Sequence, residues 1–297
     1  MGRMNVLVLG GTKFFGKRLV NKLAARGHEV TVATRGRSLA EGLDHRVRRV
    51  TVDRTDGEAM MNAFGDRSYD VVYDQIGFTP QDARTAVETF GSRIGRYVFT
   101  SSMAVYDDTN EVIREEAFDP HRYPVDLDRG SYDYQEGKRQ AEAYLYQNAP
   151  FPVTAVRVSL VISGEDDYTG RFAYHVDKVR QGKPIGILQP FSFSYIAADE
   201  LAGFLYFLGI EAEYAGPVNA NNTGWLSMEE FVEELEKGTG GTSGLCLAGE
   251  GEEKSPYSMG ATYKLSNERA AALGFSFRPV RAAIAEEVKR YLGVPVE

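Results

Sequence analysis

Short apolar, β-branched runs alternate with longer amphipathic stretches through the first half of the chain. Val6-Leu7-Val8-Leu9 is continuously apolar, as a short strand covered on both faces would be. Helical spacing follows over Lys17 to Ala25, and Glu29 to Ala33 returns to strand composition, which makes a βαβ unit. Further strands are predicted at Val47 to Val52, Asp70 to Asp74, Tyr97 to Ser101 and Val153 to Val158. Helices are predicted near Glu58 to Phe64, Gln81 to Phe90 and Tyr134 to Tyr146. Strands separated by helices pair in parallel, and the helices cover both faces of the sheet.

After about Ser159 the alternation loosens into Gly-rich polar connections around Ser163 to Gly170, Gly238 to Gly244 and Gly249 to Glu253. We therefore expect a first domain over residues 1–159, to which segments near 190–220 return, and a smaller covering lobe over 160–297. Glu250, Glu252 and Glu253 read as a solvated loop. No internal repeat or heptad array is visible, which sets aside solenoids and coiled coils.

The 297 residues, 43% hydrophobic and 26% charged, suffice for one large α/β domain with a smaller cap. A formal charge of −8 argues against broad contact with a nucleic-acid backbone, although a local basic cleft can hold a small anion. A small molecule is thus the expected partner. Cys246, the one cysteine, excludes an intramolecular disulfide and fits a reducing compartment. His28, His45, His121 and His175 show no paired ligand spacing, so no metal is expected. Val6 to Leu9 is too short for a signal-peptide core and Leu201 to Ile210 too short for a membrane span, which points to a cytoplasmic protein without membrane attachment.

Candidate chemistry begins where the first strand ends. Gly10-Gly11-Thr12-Lys13-Phe14-Phe15-Gly16 leads straight into a helix. Small residues there let the backbone approach a pyrophosphate, and the helix offers N–H groups and the positive end of its dipole. The same glycines would also serve a loop that needs positive φ. Gly10, Thr12, Lys13, Phe14, Phe15 and Gly16 are the candidate cofactor residues of this turn. At the end of the second strand an acidic residue would accept from the ribose hydroxyls of NAD, but Thr34 stands there, followed by Arg35 and Arg37. Two guanidiniums suit a ribose 2′-phosphate, so NADP is favoured over NAD; an ordinary exposed turn is the alternative. Asp53 is placed to bond the adenine amino group, or else to cap the next helix. The fold class is accordingly α/β, a Rossmann-type doubly wound parallel sheet with a smaller C-terminal substrate-binding lobe.

Tyr134 and Lys138, four apart at the start of a predicted helix, share one face. A nearby ammonium favours the phenolate, and a phenol so tuned exchanges a proton with a substrate oxygen. Ser102, at the end of the fifth strand, lies at the carboxyl edge where open α/β sheets bind ligands. In a chain with 17 tyrosines a Tyr-x-x-x-Lys pair is also an ordinary helix-surface pair. Its position after the glycine turn and the serine at a strand end gives it weight.

These features together resemble the extended short-chain dehydrogenase/reductase family, which includes NAD-dependent epimerases and dehydratases. The resemblance covers nearly the whole chain. It runs through Gly10 to Gly16, Tyr97-Val98-Phe99-Thr100-Ser101-Ser102-Met103-Ala104-Val105-Tyr106, and Tyr134-x-x-x-Lys138 followed by Ala141-Glu142. It continues with Arg157 opening a strand-to-loop segment, Tyr195 to Ala202, and Leu273-Gly274-Phe275. It implies that Ser102 and Tyr134 act on substrate, while Lys138 binds the nicotinamide ribose and helps set the Tyr134 pKa. It also implies a homodimer through the helices near Gln81 to Phe90 and Tyr134 to Tyr146.

Two departures matter. Lys13 replaces a glycine of the usual turn, which is similar to an atypical Gly-Gly-Thr branch. Met103-Ala104 stand where sugar dehydratases carry an Asp-Glu pair, so dehydration is disfavoured and Met103 becomes a substrate candidate. Asp166, Tyr168, Arg171 and Tyr174 resemble the family's nucleotide-sugar loop, with Arg171 for an anionic group; the same segment also reads as a surface loop before a helix that buries Phe172 and Val176. Lys183 and Arg281 are open in the same way. The expected function is an NAD(P)-dependent oxidoreductase acting on a carbonyl or hydroxyl of a small substrate, with a nucleotide sugar suggested by resemblance. The alternatives are a nucleotide-sugar epimerase with retained NAD and, in another class, a non-catalytic dinucleotide sensor or RNA-associated protein.

Overall fold

A computed structural model describes residues 2–37, 41–258 and 260–295. Its main sheet has seven strands: β1 (Asn5–Leu9), β2 (Glu29–Thr34), β3 (Arg48–Thr51), β4 (Tyr69–Asp74), β5 (Ile94–Ser102), β6 (Val153–Val158) and β7 (Gly216–Ala220). In space they run β7-β6-β5-β4-β1-β2-β3, and the pairings from β3 across to β6 are parallel. The chain builds outward from β1 to β3, then returns to place β4 on the other side of β1. Such a reversal of strand order opens a crevice at the carboxyl ends of β1 and β4.

Val6, Leu7 and Val8 have no exposed surface, and this is why β1 reads as continuously apolar. The helices α1 (Phe14–Ala25), α2 (Gly57–Phe64), α3 (Pro80–Phe90) and α4 (Tyr134–Asn148) flank the sheet. A core joins Leu7, Leu9 and Val72 of the strands to Met60, Phe64, Phe90 and Leu145 of the helices. Thr79 starts α3 with a capping box to Asp82, and Pro80 occupies the first turn, where its missing N–H costs nothing. Asp56 caps α2 by accepting from the Ala59 N–H, so the helix-capping role considered for Asp53 falls three residues later. β5 begins at Ile94, earlier than predicted, because Ile94 pairs with Tyr69 although Gly95 and Arg96 interrupt the apolar pattern.

Two compact units are present. The first comprises the chain through Tyr106 with Glu115–Val158 and Ala202–Val218; the second comprises Asp107–Arg114, Ser159–Leu201 and Asn219 onward. Later helices are α5 (Arg171–Arg180), α6 (Ala198–Tyr206), α7 (Met228–Thr239), α8 (Glu268–Ala272) and α9 (Val280–Tyr291). The second unit has short ladders: Tyr195–Ala197 with Leu160–Ile162, Ile185–Ile187 with Leu245–Leu247, and Lys264–Leu265 with Val112–Ile113. Phe172 and Val176 are fully buried on α5. Among the described residues, no helix is long and apolar enough to cross a membrane.

Candidate dinucleotide and catalytic site

The backbone at the end of β1 turns through Gly10 and Gly11, at φ 97° and 86°, values open to glycine and strained for other residues. Gly10 N–H donates to the Ala33 carbonyl at 2.9 Å and Gln75 N–H to the Leu9 carbonyl at 3.0 Å, so the turn is hung between β2 and β4. A Cβ on Gly16 would lie 2.1 Å from Gln75 Oε1 and 3.0 Å from Gly11 Cα, so only glycine lets α1 sit this close. Phe14 begins α1 at φ 51°, an unfavourable region for a bulky side chain and one often found at functional sites. The first turn of α1 has no acidic residue, and Lys13 makes no side-chain cap. Such a helix end attracts an anion.

Two buried polar atoms bear on what this crevice holds. Gln75 Nε2, just past β4, and Thr100 Oγ1, near the end of β5, have no hydrogen-bond partner among the described residues. Buried polar groups are normally bonded. A glycine cradle bordered by such atoms fits a dinucleotide.

Thr34 ends β2 half-buried, and Arg35 and Arg37 are exposed beyond it. Asp53 accepts from Thr55 N–H at 3.1 Å and from Thr55 Oγ1 at 2.8 Å. These bonds, followed by the Arg35 and Arg37 charges, hold its carboxyl below the usual range. Both arginines are therefore within electrostatic reach of Asp53.

Tyr134 opens α4 behind the cap Asp133, and it is 55% exposed. One turn later Lys138 is 2% exposed. Its Nζ donates to the Gly77 and Thr100 carbonyls, each at 2.7 Å, and lies 6.0 Å from the Tyr134 ring centre. Burial pulls Lys138 down to about 8 although the Asp74 carboxylate opposes the change. Gly137 permits the close approach: a Cβ there would meet the Phe78 carbonyl at 2.6 Å. Ser102 is buried at the end of β5, where its Oγ accepts from the Ala104 N–H at 3.2 Å, and Met103 is buried beside it.

Arg157 lies next to last in β6 with no exposed surface, and the strand ends one residue later, at Val158. Its Nη2 and Nε donate to Glu142 of α4 at 2.5 and 3.0 Å; Nη2 also reaches the Phe118 carbonyl, and Nη1 reaches Tyr106 Oη and the Glu115 carbonyl. Glu142 also accepts from Ser101 Oγ at 2.7 Å. This buried group fixes α4, and with it Tyr134, against the end of β5.

A second buried group escaped the sequence reading. Arg54 pairs with Asp74 and, at 2.9 Å, with Asp82. Tyr97 Oη donates to Asp74 at 2.6 Å. Asp74 accepts from Ile76 N–H at 3.0 Å, while Asp82 accepts from Phe78 N–H at 2.8 Å. The loop carrying Gln75 and Gly77 is thus held by two carboxylates that share one guanidinium. Gln75, Thr100, Gly137, Arg54 and Asp74 had no periodic signal, because each acts through partners distant in sequence.

In the second unit, Asp166 accepts from Ser163 Oγ at 2.8 Å. Arg171 Nε donates to Thr169 Oγ1 at 3.1 Å, and its guanidinium stands 5.9 Å from the Tyr257 ring centre. Tyr168 and Lys183 are exposed. Arg281 is engaged by Glu230 and Glu234.

Known proteins are similar to this chain in sequence or in fold. The Arabidopsis thaliana chloroplast stem-loop binding protein of 41 kDa b is 24% identical over 253 residues, which cover 79% of this chain and 63% of that protein. This chain therefore spans less than two thirds of that relative. The Arabidopsis thaliana epimerase family protein SDR39U1 homolog, chloroplastic, is 25% identical over 93% of this chain and 84% of its own length. The Thermus thermophilus UDP-glucose 4-epimerase, solved with NAD, superimposes with a TM-score of 0.76 at 21% identity, covering 98% of this chain and 99% of that one. Bordetella bronchiseptica WbmG, solved with NAD and UDP, gives 0.76 at 15% identity over 98% and 96%. These likenesses show a shared Rossmann-type fold. Residues 6–208 match the NAD dependent epimerase/dehydratase family, and the chain belongs to that family.

Proposed function

We propose that this enzyme reduces a carbonyl or oxidises a hydroxyl on a small substrate, with NADP favoured over NAD and a nucleotide sugar as the leading substrate class. The observation that carries the reading is the placement of Lys138. Its ammonium is locked between the Gly77 and Thr100 carbonyls at the carboxyl edge of β4 and β5, one helical turn from the exposed Tyr134.

A bound nicotinamide supplies the hydride acceptor or donor. Tyr134 gives or takes the proton at its hydroxyl, Ser102 hydrogen-bonds the substrate oxygen, and Lys138 in its charged form favours the Tyr134 phenolate. Lys138 also holds the nicotinamide ribose. The turn of Gly10, Thr12, Lys13, Phe14, Phe15 and Gly16 receives the pyrophosphate, while Thr34, Arg35 and Arg37 read the adenosine ribose. Asp53 serves the adenine amino group. Met103 and, in the second unit, Asp166 and Arg171 are assigned to substrate, with Arg171 taking an anionic group. The second unit is the substrate-binding lobe, and α3 with α4, which pack together, form the homodimer face.

Tyr134→Phe tests the assignment. Turnover should fall by about 10² to 10⁴, the usual worth of a positioned acid/base, with dinucleotide affinity preserved in calorimetry. Unchanged turnover would remove Tyr134 from the chemistry. A nucleotide-sugar epimerase with retained NAD is the second reading, supported by the Thermus thermophilus epimerase and its NAD. Tightly held NAD in purified protein supports it; exchangeable NADPH supports the reductase.

A further inference from the structure

The four strands β1 to β4 also have an amino-terminal edge, opposite the glycine turn. There the first unit contains a cavity of about 700 Å³. Ligand pockets for compounds of nucleotide size fall within this range, roughly 300–1,000 Å³. The lining includes Arg3, Arg46, Arg48, Arg67 and Glu29, a cationic excess in a chain whose formal charge is −8.

Two of the arginines are already paired, Arg3 with Glu29 at 2.8 Å and Arg46 with Asp44 at 2.6 Å. Nearby Asp70 is turned to the Asn5 N–H at 2.7 Å. Arg48 and Arg67, by contrast, have no carboxylate at ion-pair distance among the described residues. Between them Tyr69, 4% exposed, lines the cavity, and its hydroxyl is buried without an aligned hydrogen bond. The Arg67 and Arg48 charges both act on this phenol. Two guanidiniums without a carboxylate partner, one of them within hydrogen-bond reach of a buried phenol oxygen whose O–H is left to donate, form a donor set for phosphate oxygens, which guanidinium forks grip bidentately.

We propose that this cavity binds a phosphate-bearing small molecule of nucleotide size, with Arg48 and Arg67 gripping the phosphates and the Tyr69 hydroxyl donating a hydrogen bond. The site lies at the other end of the strands from the dinucleotide turn and stands independently of the proposed reaction. A concave pocket with a few convergent cations suits a small ligand, whereas nucleic acid needs an extended basic stripe.

The test is calorimetric titration of inorganic tripolyphosphate into the full chain with NAD and NADP both in excess, so that the glycine turn is filled. Binding is expected in the wild type and should weaken by at least about tenfold in Arg48→Ala/Arg67→Ala, as loss of charge-assisted bonds requires. Dinucleotide affinity should not change. Tyr69→Phe, which keeps the buried ring, should weaken tripolyphosphate less but measurably. Absence of tripolyphosphate binding, or equal binding by wild type and both variants, overturns the proposal. So does a stem-loop RNA that binds through the same arginines more tightly than tripolyphosphate. Failure here leaves the Tyr134 result unaffected, so the two readings fall separately.

Discussion

The Lys138 ammonium donates to the Gly77 carbonyl at 2.7 Å, which ties α4 to the loop after β4. Burial lowers this lysine to about 8 in the folded protein, against 10.5 for the free side chain. Between these values the unfolded chain binds more protons than the folded one, so stability increases with pH across that window. The contribution is fully present above about pH 10.5 and is lost as pH falls through about 8. Urea melts should show the wild type gaining on Lys138→Met by on the order of 3 kcal/mol from pH 8 to 10.5. A flat difference would mean that Lys138 does not titrate there.

Gly16→Ala should damage cofactor binding more than folding. The added methyl can push the Gln75 side chain aside, but the Gly11 backbone at 3.0 Å has no such freedom. Overpacking of this kind costs about 1–3 kcal/mol, so dinucleotide affinity should fall by roughly tenfold to a hundredfold. Calorimetry beside a thermal melt separates the two effects, and unaltered affinity would show that the turn does not cradle the pyrophosphate.

Replacing Arg35 and Arg37 together by Ala should weaken NADP by on the order of tenfold or more while changing NAD little, because charge-assisted bonds to a 2′-phosphate disappear. Competitive titration of the two dinucleotides reads this directly. Equal weakening would mean that these arginines serve Asp53, whose carboxyl they already stabilise.

Glu142→Ala would strand the Arg157 charge in a site with no exposed surface. Loss of one partner from a buried ion pair costs about 3–5 kcal/mol, and urea denaturation should show a loss of that size. Arg157→Met in the same background should recover part of it by removing the unpaired charge.

What the residues disclosed and what they hid follow from how far apart the interacting groups lie. β1 was legible because burial on both faces leaves an unbroken apolar run, and α4 because Tyr134 and Lys138 share a face within one turn. Gly10, Gly11 and Gly16 could be placed because a backbone turn is written locally. Arg157 was hidden in a strand whose alternation says nothing of Glu142, fifteen positions earlier. Arg54, Asp74 and Asp82 likewise form one unit only after β4 lies beside β1. The start of β5 was masked by Gly95 and Arg96; Arg96 turns to the Leu208 and Ala212 carbonyls, in a segment that joins the first unit from far along the chain. Ladders of two or three residues in the second unit are too short to show a period.

The position of β1 between β2 and β4 also bears on how the protein is made. Val30 to Ala33 can pair with one side of β1 soon after both leave the ribosome, but the other side waits for Val71 to Asp74. Until then a fully apolar strand presents an open row of backbone donors and acceptors, the kind of edge that recruits other chains. A chain stalled before Tyr69 would therefore be aggregation-prone, and the Gln75 bond that completes the glycine turn could not yet exist.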